Sequence, residues 1–254
     1  MRRRALTVIE LIVIIGVLLL LAAFLLPVLG RVRHAAGMSQ SQNNLRMLGL
    51  AVHNLHDVYG KLPPMIGKVG NGEGPVHFHM LPYIEQDNVY RQAGGASWKN
   101  GTYGHVIPIY VDPADTSAPP GNQYQGWLAT TNYAGNWLMF QKGDKSLANI
   151  VDGTSNTLMF TTRYQMCNGT PTGWGYPEFY TWAPMFAFYS TAKPQLNPTQ
   201  EACNPDLPQS IGNTLLIGMA DGSVQVCNPA VSPRTWRHLC DPADGNVIEP
   251  DFQN

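Results

Sequence analysis

An uncharged apolar run from Leu11 to Leu29 constrains this chain more than any other feature of its sequence. An α-helix rises about 1.5 Å per residue and the hydrocarbon core of a bilayer is about 30 Å thick, so a run of this length can cross most of a membrane. Three arginines at positions 2–4 precede it, and positive charge holds its end of a span in the cytoplasm. The sequence therefore predicts a single-pass helix over residues 6–30, with the N-terminus cytoplasmic and the C-terminal domain periplasmic or extracellular.

Two other interpretations of this segment stay open. A secretory signal peptide also begins with basic residues, but its apolar stretch usually holds about 7–15 residues and ends in a small-x-small cleavage site, which Val28-Leu29-Gly30 does not supply. A plain signal-anchor would keep the whole segment uncut.

Glu10 places an acid at the edge of the apolar run, where an unpaired charge costs about 3 kcal/mol or more, so we expect it to need a partner. The run Ala5-Leu6-Thr7-Val8-Ile9-Glu10 resembles the signature of type IV prepilins and type II secretion pseudopilins. The resemblance implies a leader at residues 1–5, which a prepilin peptidase of the bacterial inner membrane removes between Ala5 and Leu6 before it methylates the new amine. It also implies that Glu10 neutralises the N-terminus of a neighbouring subunit during assembly.

Pro27 stands where pilins often carry a proline that loosens the helix, because proline removes a backbone hydrogen bond and clashes with the preceding turn. Two positions depart from the family pattern. Ala5 replaces the usual glycine before the cut, and Leu6 replaces the commoner phenylalanine or methionine.

Beyond the apolar run, a stripe of apolar residues predicts an amphipathic continuation of the helix over residues 31–60 that is covered by a sheet. Gly60 can end the helix and Pro63-Pro64 forbids its continuation, so we expect one helix from about Val8 to Tyr59 with a bend at Pro27. The stripe consists of Leu45, Leu48, Val52, Leu55 and Tyr59.

Residues 61–254 form the remainder of the chain, and their sequence predicts an α+β head. The whole chain has 25 glycines, 20 prolines and 13% charged residues, and Asn-Gly and Asp-Gly pairs punctuate the head at turn positions. The predicted elements are a hairpin of Thr214–Ala220 with Ser223–Cys227, strands at Val106–Val111 and Thr157–Thr162, and a short helix capped by Ser232-Pro233 that buries Trp236 and Leu239. The expected fold is thus a long N-terminal transmembrane and amphipathic helix followed by a pilin-like head rich in antiparallel sheet.

A wider resemblance covers most of the chain. Its blocks are similar to those of a large bacterial family of pilin-like proteins that carry domain of unknown function 1559 and a C-terminal H-x9-DG motif. Two segments depart from it, since Asp112-Pro113-Ala114-Asp115 replaces a C-P-S-D segment and Ile211 replaces the histidine of the motif. The matching blocks are Asn43-Asn44-Leu45-Arg46, Leu50-Ala51-Val52-His53-Asn54, Tyr59-Gly60-Lys61-Leu62-Pro63-Pro64, Leu81-Pro82-Tyr83-Ile84-Glu85-Gln86, Thr131-Asn132-Tyr133-Ala134-Gly135-Asn136 and Ile150-Val151-Asp152-Gly153-Thr154-Ser155-Asn156-Thr157.

The four cysteines, Cys167, Cys203, Cys227 and Cys240, all follow the apolar run, and an even number in an exported domain suggests disulfides. Three pairings are possible. The short loop between Cys227 and Cys240 favours that pair, with Cys167 to Cys203 as its complement. Buried free thiols are the alternative.

Possible metal ligands have simpler explanations. Asp152 and Asp221 could offer oxygen atoms to calcium, as in some pseudopilins, but each belongs to an Asp-Gly turn and neither lies in a D-x-D-x-D-G loop. His77 and His79 would share one face of a strand, and the pair His53–His56 would stack along a helix, yet neither pair has an evident third ligand for zinc. We therefore expect no cofactor, with calcium as the secondary possibility.

The stretch from Trp174 to Tyr189 is dense in aromatic residues. Burial in the core is the simplest interpretation, and a surface that contacts another subunit or a sugar polymer is the alternative.

The function most consistent with these features is a non-enzymatic pilin-like or pseudopilin-like subunit. Its expected partners are prepilin peptidase, other pilin or pseudopilin subunits and the inner membrane assembly machinery. The sequence contains no nucleophile elbow, phosphate loop or HExxH motif, and a formal net charge of −1 gives no footprint for nucleic acid. The alternative is a membrane-tethered extracytoplasmic protein that binds an envelope polymer or polysaccharide.

Overall fold

The computed structural model describes residues 8–178 and 180–253, and within the first helix it leaves out the side chains of residues 18 and 21–34. The predicted cleavage site at Ala5 and Leu6 lies outside the described residues, as does the side chain of Pro27. The chain divides into two compact units, residues 1–39 and 40–254.

Helix α1 runs from Val8, the first described residue, to Tyr59, which confirms the predicted C-terminal bound. It ends because Gly60 adopts a left-handed φ of +70° and donates its N–H to the His56 carbonyl at 2.7 Å, which is the conformation glycine tolerates best at this position. Among the residues whose side chains are described, no helix is both long enough and apolar enough to cross a membrane. Positions 6–7, 18 and 21–30 of the predicted span lie outside that set.

Short strands and helices make up the rest of the globular unit. The strands are β1 (Ile66–Val69), β2 (Gly72–Pro75), β3 (Gln123–Tyr124), β4 (Leu128–Ala129), β5 (Tyr133–Asn136), β6 (Leu158–Thr162), β7 (Met166–Cys167), β8 (Thr170–Pro171), β9 (Met185–Phe186), β10 (Leu215–Met219) and β11 (Val224–Cys227). The helices are α2 (Val76–Met80), α3 (Asp87–Gln92), α4 (Trp137–Phe140) and α5 (Pro233–Cys240).

A five-stranded sheet in the order β11-β10-β6-β5-β9 organises the globular unit. Every neighbouring pair is antiparallel except β5 and β9, which are parallel. Three two-stranded sheets, β1–β2, β3–β4 and β7–β8, surround it. The described fold is therefore α+β with a mainly antiparallel sheet, as predicted.

The two faces of this sheet bury different helices. Leu216 of β10 belongs to the same apolar cluster as Leu45, Leu48 and Val52 of α1, whereas its neighbour Ile217 packs with Trp236 and Leu239 of α5. This alternation follows from the two-residue period of a strand. The predicted apolar stripe therefore covers the sheet.

The same packing sets the start of the globular unit. Leu45, Leu48, Val52 and Leu55 are each at most 1% exposed, and the compact globular unit includes residues 40–59 of α1. Tyr59 departs from the predicted stripe, because its side chain is 47% exposed at the helix end.

The predicted strand at Val106–Val111 is wrong. Pro108–Tyr110 form a 3-10 turn there. Proline lacks the N–H that a sheet ladder requires and fixes φ near the helical value, so the turn replaces the strand. The strand at Thr157–Thr162, the hairpin β10–β11 and the helix after Ser232 are all confirmed.

Candidate functional site

Aromatic side chains from three separate segments line a cavity of about 450 Å³ at the surface of the globular unit. This volume falls within the range of about 300–1,000 Å³ that is usual for small-molecule sites. The lining residues are Trp98, Tyr103, Trp127, Leu128, Tyr176, Pro177 and Glu178.

One side of the cavity comes from the segment that follows α3. Trp98 directly precedes a 3-10 segment, Lys99–Gly104, that contains Tyr103. Asn100 and Gly101 have φ of +53° and +69°, a left-handed reversal that Asn and Gly accept most readily. The Asn100 amide also donates to the Gln92 carbonyl at 2.8 Å. The reversal thus fixes the course of the chain between the two aromatic residues.

Trp127 comes from the tight turn that joins β3 and β4. Its N–H donates to the Tyr124 carbonyl at 3.2 Å, and Gln125 and Gly126 between them both have positive φ, of +50° and +75°. Positive φ at both central residues is the requirement of a type I′ turn, and here this turn lies within the three residues that separate the paired Tyr124 and Leu128. The turn leaves the Trp127 side chain 39% exposed.

Trp182 packs against two of the aromatic residues that line the cavity, Trp127 and Tyr176. Its ring lies 5.5 Å from Tyr124, 6.2 Å from Trp127 and 5.3 Å from Tyr176, measured between centroids. The Trp182 carbonyl accepts a hydrogen bond from the Gly173 N–H at 2.8 Å. Such edge-to-face and tilted ring contacts favour a fixed arrangement of the aromatic walls.

The charge of the cavity is negative. Of the described residues that line it, Glu178 alone is charged, and its side chain is exposed. The Tyr176 hydroxyl donates to the Glu178 carboxylate at 3.4 Å. Partial burial, together with the nearby Glu178 carboxylate, raises the pKa of Tyr176 above its ordinary value. The cavity therefore offers flat apolar faces, an acceptor and no cationic partner for an anion.

The predicted aromatic stretch divides between core and surface. Trp174 is buried and donates its indole N–H to the His105 carbonyl at 2.8 Å, and Phe186 is buried under α5. Tyr180 and Tyr189 are about half exposed, at 52% and 53%. Phe179 lies outside the described residues. Burial in the core therefore holds for part of the stretch, and other residues of it lie at the surface.

Sequence reasoning missed Trp98, Tyr103 and Trp127. Each lies in or beside a turn marked by glycine, at Gly101 or Gly126. Large aromatic residues in such turns have little opportunity for burial, and this was the available signal of a surface role.

One of the two expected disulfide bonds is present in the structure. Cys167 at the end of β7 forms a disulfide with Cys203. Cys227 and Cys240 are free and buried, so the favoured bond between them is absent. Both thiols pack in the apolar cluster around Trp236 as small hydrophobic groups. Burial raises the pKa of the Cys227 thiol to about 12.

The two aspartates considered for calcium take part in turns. The Asp152 carboxylate accepts the N–H groups of Asp244 and Gly245 at 2.8 and 2.9 Å. Asp221 accepts the Ser223 N–H at 2.8 Å within the hairpin turn. Within the described part of the chain, no group of three or more His, Cys, Asp or Glu side chains is placed to hold a metal ion.

The histidine pairs contact other groups rather than a shared centre. His77 and His79 lie on helix α2, not on the expected strand. The His79 ring contacts the Gly67 carbonyl at 3.0 Å, whereas His53 and His56 contact the Ala220 carbonyl and the Ser146 hydroxyl at 2.9 and 3.0 Å.

The two residues predicted to act in assembly lie in α1. Glu10 belongs to the first turn of the helix and its side chain is exposed. The backbone of Pro27 is helical. Ile211, at the position of the family's histidine, is 5% exposed and pairs with Thr214 just before β10, which agrees with a packing role for that position.

Comparison with known proteins gives one similarity. No curated protein and no solved structure shows significant similarity to the chain. A family model described as a protein of unknown function (DUF1559) matches residues 30–103, a range that holds the second half of α1, β1, β2, Trp98 and Tyr103. Over that range the chain is similar to this family, which supports the resemblance of the sequence blocks that lie within residues 30–103.

Proposed function

We propose that this protein is a non-enzymatic, pilin-like structural subunit of the bacterial inner membrane. Prepilin peptidase removes residues 1–5, and the helix that begins at Leu6 assembles with other pilin or pseudopilin subunits into a filament or pseudopilus. The observation that carries this proposal is the run Ala5-Leu6-Thr7-Val8-Ile9-Glu10, whose last three residues begin the 52-residue helix that the structure describes.

The position of Glu10 gives a physical basis for assembly. Cleavage before Leu6 leaves a cationic amine a few residues from the carboxylate of Glu10, which lies in the first turn of α1. Opposite charges attract more strongly where apolar surroundings lower the dielectric constant. A Glu10 carboxylate that meets the amine of an adjacent subunit would therefore fix the register between neighbouring helices.

The exposed apolar surface of α1 also supports the proposal. Val8, Ile9, Ile12 and Leu19 are between 62% and 74% exposed in the single chain. A continuous apolar surface of this kind marks contact with lipid or with other proteins. The disulfide between Cys167 and Cys203 supports placing the globular unit outside the cytoplasm, where disulfides persist.

Mass spectrometry of the purified protein tests the processing step. We expect a mature chain that begins with methylated Leu6. An intact Met1 end would instead favour the second candidate, a membrane-tethered binding protein that does not polymerise, which the aromatic cavity also favours.

The variant Glu10→Ala tests assembly. We expect it to be inserted and cleaved like the wild type but to be lost from sheared or purified filaments by about tenfold or more, since the interaction replaced is a charge pair in apolar surroundings. Asp57→Ala is the matched control, because it removes an acid from the other end of the same helix, where the Asp57 side chain is 82% exposed. Equal incorporation of wild type and Glu10→Ala would refute the proposal. It would mean that the Glu10 carboxylate is not needed for assembly and at most stabilises the N-terminal end of its own helix.

A further inference from the structure

We propose that the cavity lined by Trp98, Tyr103, Trp127 and Tyr176 binds a neutral saccharide, with a gluco-configured pyranose ring stacked on indole faces and its hydroxyls bonded to Glu178 and indole N–H groups. The inference goes beyond the proposed function, since it concerns the globular unit and holds whether or not the chain assembles into filaments.

The first reason for proposing a ligand site is that the two tryptophans lining the cavity are partly exposed. Trp98 is 37% exposed and Trp127 is 39% exposed, and both line the same 450 Å³ cavity. Large aromatic groups left open at a concave surface lose the stabilisation that burial would give them, and they regain it when a ligand covers them. The volume is suited to one or two sugar rings of a longer chain.

The second reason is that the cavity combines aromatic faces with hydrogen-bond donors and acceptors. A pyranose with equatorial hydroxyls has two faces of C–H groups and an edge of hydroxyls, so it needs flat apolar surfaces together with both donors and acceptors. The cavity supplies ring faces and the Glu178 carboxylate as an acceptor. Donors are also present: among the described residues, the indole N–H of Trp174 is bonded to a carbonyl, while those of Trp98 and Trp127 have no partner.

Charge excludes other ligand classes. The described lining holds no Lys, Arg or His, so phosphates, nucleotides and acidic polymers would meet Glu178 without a compensating cation. An organic cation is the competing ligand, because aromatic faces and a carboxylate both attract it. It would, however, leave the indole N–H groups without acceptors, whereas sugar oxygens satisfy them.

The site is held in place before a ligand binds. The Tyr103 and Trp127 rings meet edge to face, with centroids 5.6 Å apart and planes at 86°. Trp182 supports both Trp127 and Tyr176. Little ordering is therefore required on binding, which favours measurable affinity at a small site.

The test is a titration of the full-length protein in a polyoxyethylene detergent, since maltoside or glucoside detergents would themselves offer sugar. Tryptophan fluorescence and calorimetry would follow the addition of cellohexaose, laminarihexaose, chitohexaose and tetramethylammonium chloride. We expect saturable binding of at least one hexasaccharide, and affinities reduced by about tenfold or more in Trp98→Ala and Trp127→Ala. Circular dichroism would show that these variants, altered at partly exposed positions, remain folded.

Three further variants serve as controls for the position of the site, for its charge and for filament assembly. Tyr189→Ala removes an exposed aromatic ring outside the cavity and should leave the affinity unchanged. Glu178→Gln keeps an acceptor without the charge, so saccharide binding should persist in it. Glu10→Ala should bind saccharide like the wild type, which separates this test from that of assembly.

The inference would be overturned if none of the three hexasaccharides bound, or if binding were indifferent to both tryptophan substitutions. Binding of tetramethylammonium that disappears in Glu178→Gln would also overturn it and would identify a site for organic cations.

Discussion

Arg163 is a fully buried cation whose guanidinium donates to backbone carbonyls of one segment. The acceptors are Thr181 at 2.6 Å, Ala183 at 3.1 Å and Met185 at 2.9 Å. Burial lowers the pKa of Arg163 to about 10, an effect that Asp206 opposes, so the side chain stays charged at neutral pH. Arg163 therefore fixes residues 181–185, the segment that carries Trp182 and begins β9. A buried arginine has no signature in the sequence.

Arg163→Ala should lower the free energy of unfolding by at least about 3 kcal/mol, because it removes three hydrogen bonds from a buried charged group, and each such bond contributes about 1.5–3 kcal/mol. Urea denaturation followed by tryptophan fluorescence would measure the loss. Arg91→Ala is the control, since Arg91 pairs with Asp87 at the surface with its side chain 80% exposed, and such pairs contribute about 1 kcal/mol or less. Similar losses in the two variants would show that the buried contacts of Arg163 are not stabilising.

Local sequence signals predicted the elements that depend on their own residues. Gly60 ends α1, Asp221-Gly222 turns the hairpin of β10 and β11, and Ser232-Pro233 starts α5. The parallel pairing of β5 with β9 was not predictable, because it joins Gly135 to Met185, which lies beyond β6 and inside the loop closed by the Cys167–Cys203 disulfide. Such pairings are set by packing between distant segments rather than by propensity.

The cap of α5 offers a test of one of these local signals. The Ser232 hydroxyl accepts the Thr235 N–H at 3.1 Å, with Pro233 in the first turn. Ser232→Ala should therefore destabilise the protein by about 1 kcal/mol, the usual cost of losing an N-cap, measured by urea denaturation. Ser232→Thr keeps the hydroxyl and should lose less. Equal losses in both variants would show that the hydroxyl does not act as the cap.

At the scale of the whole globular unit, the candidate site arises from convergence. Trp98, Trp127 and Tyr176 stand 29 to 78 residues apart in the sequence. Their segments meet through long-range hydrogen bonds: the Ser97 hydroxyl donates to the Gly175 carbonyl at 2.8 Å, and the Trp174 N–H donates to the Ala129 carbonyl of β4 at 3.3 Å. The aromatic stretch from Trp174 to Tyr189 was visible as a pattern, and it supplied Tyr176 and Trp182. The opposite wall had only single aromatic residues beside glycine turns, which indicate exposure, so the meeting of these residues in one cavity was visible only in the fold.

The globular unit also buries two neutral histidines, which makes its stability depend on pH. Burial lowers the pKa of His77 to about 3, opposed only in part by the nearby Tyr133 backbone. Burial likewise lowers the pKa of His79 to about 4, against the effect of the Gly67 and Gly74 carbonyls. Because the unfolded chain titrates at an ordinary pKa of about 6.5, it binds more protons than the folded chain between that pH and the folded values. Stability is therefore full above about pH 6.5 and falls as the pH drops below it.

The variant His77→Phe tests this dependence. Within the described structure neither nitrogen of the His77 ring has a hydrogen-bond partner, and the ring packs edge-on against Tyr110 and Phe160, so a phenyl ring should fit without loss at pH 7.5. Between pH 6 and 5 we expect each buried histidine to cost up to about 1.4 kcal/mol per pH unit, so the variant should show about half the slope of the wild type in urea denaturation. Asp244 and Asp251 have lowered pKa values, so their stabilisation is lost only at lower pH. Identical slopes of unfolding free energy against pH in the two proteins would mean that His77 does not remain neutral in the folded core. A neutral, buried imidazole binds fewer protons in the folded chain than in the unfolded chain, so its removal must change the slope.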